Sequence, residues 1–256
     1  MKIQLLKDYP YFYETHLHTN RGSACGQNTG IEMAKACREF GYTGIFVTDH
    51  NWGGNTCVSR ELSWPEWMNN YAQGYREAKE YGDANGLDVF FGMETGFRGT
   101  EFLILGLDPE WFIATPEFRV CDIVRQYELV HEAGGFVSQA HPYRVEPYIP
   151  EVRTFPGEAD AIEAYNATHS SPMSKSHNES EWNDMAMELA LKHNKPITAG
   201  SDVHSVNLFG GGMAFKKKFD NAKELCNEIL TGDYIISDGV YWRDKKGRIL
   251  EPVDIR

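Results

Sequence analysis

Strand-like and helix-like segments alternate about seven times along this chain, and that alternation restricts it to one broad architecture. Short apolar runs such as Gly44-Ile45-Phe46-Val47-Thr48, Phe136 to Ala140 and Ile197-Thr198-Ala199 read as buried strands. Longer segments with apolar residues at helical spacing lie between them. Strands separated by helices are parallel strands with crossover connections, so an α/β fold is expected. At 256 residues one barrel of this class is of ordinary length. With no repeat or linker, a single domain over 1–256 is expected, with a short hairpin after about residue 238.

Local signals set the boundaries. Tyr11 to Thr15 reads as the first strand. Thr29 and Glu32 fit a capping box for a helix that runs to Phe40 and stops at Gly41. Ser63 and Glu66 fit a second box, with a helix continuing to Asn85-Gly86. Strands are expected over Leu87 to Phe91 and Glu101 to Leu107. The apolar positions Val120, Ile123, Val124, Tyr127 and Val130 predict one helix from Pro116 to Ala133.

The residues that follow the strands carry the chemistry. His16 and His18 flank Leu17, and side chains two apart on a strand point the same way. Asp49-His50, Glu94, His141, Asp202 and His204 also follow short apolar runs. In barrels of this type the strand ends share the face that carries the active site, so these residues converge. Five histidines and two carboxylates, Glu94 and Asp202, make seven candidate ligands. Imidazole with carboxylate suits zinc, iron(II) and manganese. Seven donors exceed one tetrahedral ion and suit two with a carboxylate bridge. Such a pair, roughly 3.5–4 Å apart, can clamp a phosphoryl group during transfer to water. Asp49 reads either as a strand-end turn former or as a carboxylate orienting a ligand imidazole; the second is preferred. His131 and His193 fall on a helix and a helix end, and His169 and His177 in a polar loop. The first two are set aside as structural; either of the loop pair could line the pocket, but a surface loop is preferred for both.

Composition excludes other classes. A net charge of −12 argues against a nucleic-acid surface. The five cysteines are odd in number, widely spaced and without a Cys-x-x-Cys pair, as expected of reduced thiols in a cytoplasmic protein. Met1 to Asp8 lacks the apolar segment of a signal peptide, and no run is long enough to span a membrane.

Taken together, Glu14-Thr-His16-Leu-His18-Thr, Thr48-Asp49-His50, Gly92-Met-Glu94, Ala140-His141-Pro142, Glu163-Ala-Tyr-Asn166 and Ser201-Asp202-Val-His204 resemble the ordered motifs of the polymerase and histidinol phosphatase (PHP) domain. The resemblance runs from about residue 11 to 210. It implies a distorted seven-stranded (βα) TIM-like barrel and a metal-dependent phosphoesterase with two to three divalent ions, zinc, manganese or iron. By motif, His16, His18, Glu94 and Asp202 would hold one ion. Glu94 would bridge to a second, held also by His141, and His50 and His204 would serve a third. The implied chemistry is attack of metal-bound hydroxide on a small-molecule phosphate ester.

The chain departs from the family pattern twice. Ser23 and Ala24 stand where some members carry a further histidine or aspartate, with Cys25 next door as a loop thiol. The strand Phe102-Leu103-Ile104-Leu105 lacks a histidine that three-metal members carry. Arg144 is the first candidate for binding phosphate and, with Asp49, for a catalytic role; Arg98 and Arg21 follow as substrate contacts. The Trp52-Gly53-Gly54 loop is a candidate lid. Two other readings stay open: an amidohydrolase cleaving C–N bonds, and a catalytically weak metal-binding PHP-like module. Oligomeric state is not legible.

Overall fold

The computed structural model describes residues 1–256. In chain order its elements are β1 (Tyr11–Glu14), α1 (Gly30–Phe40), β2 (Gly44–Val47), α2 (Trp64–Tyr71), α3 (Gln73–Asn85), β3 (Asp88–Phe97), β4 (Thr100–Leu105), α4 (Pro109–Ala114), α5 (Ile123–Glu132), β5 (Phe136–Ala140), β6 (Ala161–Asn166), α6 (Ala167–Ser170), α7 (Glu181–Lys192), β7 (Ile197–Gly200), β8 (Gly211–Phe215), α8 (Ala222–Thr231), β9 (Tyr234–Asp238), β10 (Tyr241–Arg243) and β11 (Ile249–Pro252).

All strands join one 11-stranded sheet ordered β11-β10-β9-β8-β1-β2-β3-β4-β5-β6-β7. The expected seven-stranded barrel is thus replaced by an open, curled half-barrel sheet of mixed direction. Among the strands, parallel ladders join β1–β2, β2–β3, β5–β6 and β6–β7. The chain reverses from β3 to β4 through Arg98 (φ 51°) and Gly99 (φ 83°). Two consecutive residues at positive φ make a tight hairpin turn, which leaves no room for a crossover helix. Antiparallel β8 and β9 then extend the sheet on the other side of β1. Curling brings the end of β7 back toward β1. Thr15 Oγ1 donates to the Ala199 carbonyl at 2.8 Å, and Leu17 forms a lone parallel bridge with Val203.

Both capping boxes form. In α1 the Thr29 hydroxyl accepts from the Glu32 amide, and Glu32 accepts from the Thr29 amide; Gly41 closes the helix at φ 116°. The helix begun at Ser63 breaks at Ala72 into α2 and α3. A Cβ on Gly74 would stand 2.1 Å from Thr19 Oγ1 and 3.1 Å from Asp49 Oδ2, so the start of α3 packs directly against the loop that carries Asp49. The helix expected over 116–133 is shorter. A 3-10 turn spans Pro116–Arg119, and α5 starts only after Asp122, whose carboxylate accepts from the Arg125 amide. Val120 and Val124 are consequently exposed, not on the buried face.

Tyr13, Phe46, Leu103, Leu105 and Phe215 fill the interior of the curl, while Trp64, Trp67, Met68 and Tyr71 pack on its flank. Trp64 and Trp67 stack with centroids 5.5 Å apart, and Trp67 stacks on Tyr71 at 4.9 Å. Each fully buried side chain of this size contributes roughly 1.5–3 kcal/mol of apolar burial. The interior is therefore apolar up to the strand ends, where it turns polar at one place.

Candidate metal centre

That place is formed by strand ends far apart in sequence. His16 and His18 follow β1, His50 follows β2, His141 follows β5, and Asp202 and His204 follow β7. Glu94 differs from expectation in lying inside β3, paired with Leu103 of β4. Glycine permits the closest approach: a Cβ on Gly200, the last residue of β7, would stand 2.6 Å from His16 Cβ. His141 (φ 26°) and Asp202 (φ 53°) occupy the left-handed region that most side chains avoid. Strain of this kind is retained where surrounding structure imposes it, commonly at functional sites.

The donor atoms are spaced as ligands around an ion. Metal bonds of about 2.0–2.2 Å in a tetrahedral set separate donors by roughly 3.3–3.6 Å. His16 Nε2 lies 3.2 Å from Glu94 Oε1 and 3.5 Å from Asp202 Oδ1. His18 Nε2 lies 3.6 Å from Glu94 Oε2 and 3.1 Å from Asp202 Oδ1. His141 Nε2 stands 3.2 Å from Glu94 Oε1. His18, His50 and His204 form a further trio of neighbouring imidazoles. Three fully buried atoms here, His16 Nε2, His50 Nδ1 and Glu94 Oε2, have no hydrogen-bond partner. His50 Nδ1 comes within 2.6 Å of Glu94 Oε2 without hydrogen-bonding geometry, so both atoms are aimed at a shared point and not at each other. Buried orphan donors and acceptors of this chemistry fit divalent ions.

A surrounding layer fixes the imidazoles. His16 Nδ1 donates to Glu163 Oε1 at 2.9 Å, and Glu163 Oε2 accepts from the His141 amide at 3.0 Å. His18 Nδ1 donates to Ser23 Oγ at 3.0 Å, and Ser23 donates to Asp49 Oδ1 at 2.7 Å. Both Nε2 atoms thereby face the cluster, and in the neutral imidazole the Nδ1 partners favour the tautomer that leaves Nε2 free to ligate. Asp49 touches no donor of the cluster directly. It accepts from the Thr19 amide and hydroxyl, both at 2.6 Å, and acts on His18 through Ser23. Glu14 ties the two ends of the curl together, accepting from the His16 amide at 3.0 Å and the Ser201 amide at 2.8 Å.

Electrostatics follow from this crowding. Burial opposes charge on His16, but Asp202, Glu163 and Glu94 hold its proton well above the ordinary imidazole range. His50 is likewise raised against its burial, chiefly by Glu94. Burial works against the Glu94 carboxylate, yet His50 and His16 hold it well below the usual range. Burial also opposes the Asp202 charge, and Arg144 and His16 overcome it. His18 is driven down by burial and by His204 and His50. A divalent ion must therefore displace protons from His16 and His50. Raised imidazole pKa values mean that these protons are bound at neutral pH, so apparent metal affinity rises with pH and falls with acid. Manganese titrated into chelator-treated protein at pH 7 is expected to release protons, seen as a calorimetric heat that varies with the ionisation enthalpy of the buffer. A heat independent of buffer would contradict this.

The centre opens into a cavity of about 1130 Å³, with His50, Glu101, Arg144, Asp202 and His204 in its wall and Tyr148, Lys175 and His177 further out. Arg144 is buried: its guanidinium pairs with Asp202, and its Nε donates to His169 Nε2 at 3.2 Å. Arg21 and Arg98 are not brought to the site. Arg21 pairs with Glu77 at 2.8 Å, and Arg98 sits exposed on the β3–β4 turn. Gly53 and Gly54 line the cavity, while the Trp52 ring turns away onto Trp67 and carries the Arg119 guanidinium at 3.5 Å. Cys25 also lines the cavity; burial pushes its thiol up, but the neighbouring His204 and His50 imidazoles outweigh this and bring it down to about 6.

Five participants carry no signal in the sequence that gives them this role. Glu163 and Asn166 stood in a quoted motif without a role. Ser23 was counted only as a departure, and His169 as a surface residue. Glu101 has no role assigned, although it lies near the start of β4 beside the cluster.

Comparison with known proteins bears on the fold. Residues 180–234 match the family described as PHP-associated. No curated protein matches the chain. The fold is similar to a two-domain protein of Bacteroides vulgatus that contains a predicted PHP-like metal-dependent phosphoesterase, at 14% identity and TM-score 0.64, covering 93% of this chain and 68% of that one. It is also similar to a protein of Bifidobacterium adolescentis assigned as a metal-dependent phosphoesterase, at 15% identity and TM-score 0.52, covering 85% and 95%. A third neighbour is an amidohydrolase of Chromobacterium violaceum with bound sulfate and no metal, at 14% identity and TM-score 0.51, covering 75% and 87%. The fold and the histidine–carboxylate cluster fit a metal-dependent hydrolase. The likeness to these neighbours is one of fold, and the family match is confined to residues 180–234.

Proposed function

We propose that this chain is a metal-dependent phosphoesterase that hydrolyses a small-molecule phosphate ester. The observation that carries the reading is the convergence of seven metal-type donors, spread between residues 16 and 204, into one cluster, of which His50, Asp202 and His204 reach the wall of a cavity also lined by the buried Arg144. His16, His18, Glu94 and Asp202 would hold one ion, and His141, His50 and His204, with Glu94, would serve further positions. When bound, the ions supply Lewis acidity and lower the pKa of a water for attack on phosphorus.

The chain's own residues do the rest. Glu163 keeps His16 turned inward, and Asp49 does the same for His18 through Ser23. Arg144 receives non-bridging phosphate oxygens through its forked N–H donors. His169 holds Arg144 at Nε and is itself fixed by Asn183 Oδ1 at 3.0 Å. Glu94 stands where amidohydrolases carry a bridging lysine, which favours phosphate over amide substrates. The acidic chain favours small molecules over nucleic acid. No helix is long and apolar enough to cross a membrane.

The test is hydrolysis of a generic aryl phosphate by protein of measured metal content, with and without chelator. Bound divalent metal with chelator-sensitive turnover is expected. Tightly bound metal with turnover of amides alone would transfer the chain to C–N hydrolysis. Bound metal with no turnover of any phosphate mono- or diester would make it a binding module.

A further inference from the structure

Glu101 has no place in the ligand set carried over from the family motifs, yet it is the carboxylate best placed to extend it. β4 is antiparallel to both neighbours, and Glu101 pairs with Gly96 of β3 and Ala140 of β5. One neighbour lies two residues beyond Glu94, and the other immediately precedes His141. Side chains alternate along a strand, so Glu101 shares a face with Leu103 and Leu105, which pack inside the curl. Phe102 and Ile104 point to the flank. Glu101 therefore projects from the interior face at the end where the donors gather.

Its carboxylate is buried, and its ion-pair partners are both imidazoles of the cluster. Oε1 lies 3.4 Å from His50 Nδ1, and Oε2 lies 3.6 Å from His141 Nε2. His50, Glu94 and Glu101 each offer a donor atom within 4.8 Å of the others. Two buried carboxylates so close repel each other, an arrangement that becomes favourable when a cation lies between them. The orphaned Nδ1 of His50 faces the same space.

We propose that Glu101 is a ligand of the second metal position, completing a set with Glu94, His50 and His141 that favours manganese(II) or iron(II) over zinc. The carboxylate takes the place of the histidine that the strand lacks, and trading imidazole for oxygen shifts a site toward harder ions. The inference rests on the metal-centre reading above, and its test separates the two.

The experiment measures manganese(II) equivalents and affinity by calorimetry and electron paramagnetic resonance in the wild type, Glu101→Gln and Glu101→His, with thermal melts before and after loading. The glutamine variant is expected to lose one manganese equivalent or weaken it at least tenfold, as the first position still fills. Its metal-free melt should match or exceed the wild type, because a repelling buried charge is gone, while its gain on loading shrinks. The histidine variant should keep full occupancy and move its preference toward zinc. Equivalents, affinity and ion preference unchanged in both variants would overturn the proposal and leave the metal centre standing. A wild type that binds no divalent ion would overturn both. If the glutamine variant shows no folding transition, the histidine variant decides: a shift toward zinc supports the proposal, and an unshifted preference overturns it.

Discussion

Replacing His16 and His18 together by alanine is expected to lower aryl phosphate hydrolysis by at least about 10³-fold, because ions that polarise phosphate contribute several kcal/mol and each 1.36 kcal/mol is about tenfold in rate. Both imidazoles are fully buried, and both present Nε2 to Glu94 and Asp202. Their loss removes two donors of the first position and leaves two carboxylates facing each other across a void. Metal content measured on the same preparation should fall by at least one equivalent. Glu163 also loses its imidazole partner, and an unpaired buried group costs about 1–3 kcal/mol, so the fold must be monitored by its melt. Asp202→Asn is the companion variant. It keeps side-chain volume, removes one ligating charge, and should reduce turnover with a smaller change in melting. Full metal content with wild-type turnover in the double variant would sink the metal-centre reading.

The site was more legible than the sheet. His16, His18, His50, His141, Asp202 and His204 each end an apolar run, and a run followed by a ligating residue survives any error in strand direction. Strand direction itself is not written in such runs. The reversal at Arg98-Gly99 turns on two positive φ angles, and an arginine in that position carries no turn signal. The open edge beyond β8 was hidden because Gly211-Gly212-Met213-Ala214-Phe215 is too rich in glycine to read as a strand. Val120 and Val124 matched a helical period by chance, and the N-cap at Asp122 overrode them. Glu101 and Ser23 were missed for a different reason. A lone glutamate near the start of a strand and a serine in a polar loop look like solvated residues until the pairing of β4 with β3 and β5, and the contact of Ser23 with Asp49, give them a direction.

Arg144→Ala should lower kcat by about 10²–10³, the usual effect of deleting one donor aimed at developing charge, while metal content is unchanged or tighter. The two halves of that expectation have one physical source. The Arg144 guanidinium pairs with Asp202, a proposed ligand, and is one of the groups that overcome burial and hold its carboxyl well below the usual range. Taking the arginine away frees the Asp202 carboxylate for an ion and at the same time deletes the cation that meets phosphate. A purely structural arginine would behave differently, since its loss would destabilise the protein and disturb metal binding without a specific loss of turnover. Arg144→Lys sharpens the distinction. Lysine keeps the charge but neither the fork nor the Nε donor that His169 accepts at 3.2 Å, so it should recover only part of the rate. Inhibition by inorganic phosphate should weaken in parallel in both variants, because product and transition state present the same oxygens. A kcat and a phosphate inhibition constant equal to wild type in Arg144→Ala would place this side chain among the groups that only pack the cavity wall, and phosphate recognition would then fall to the ions alone.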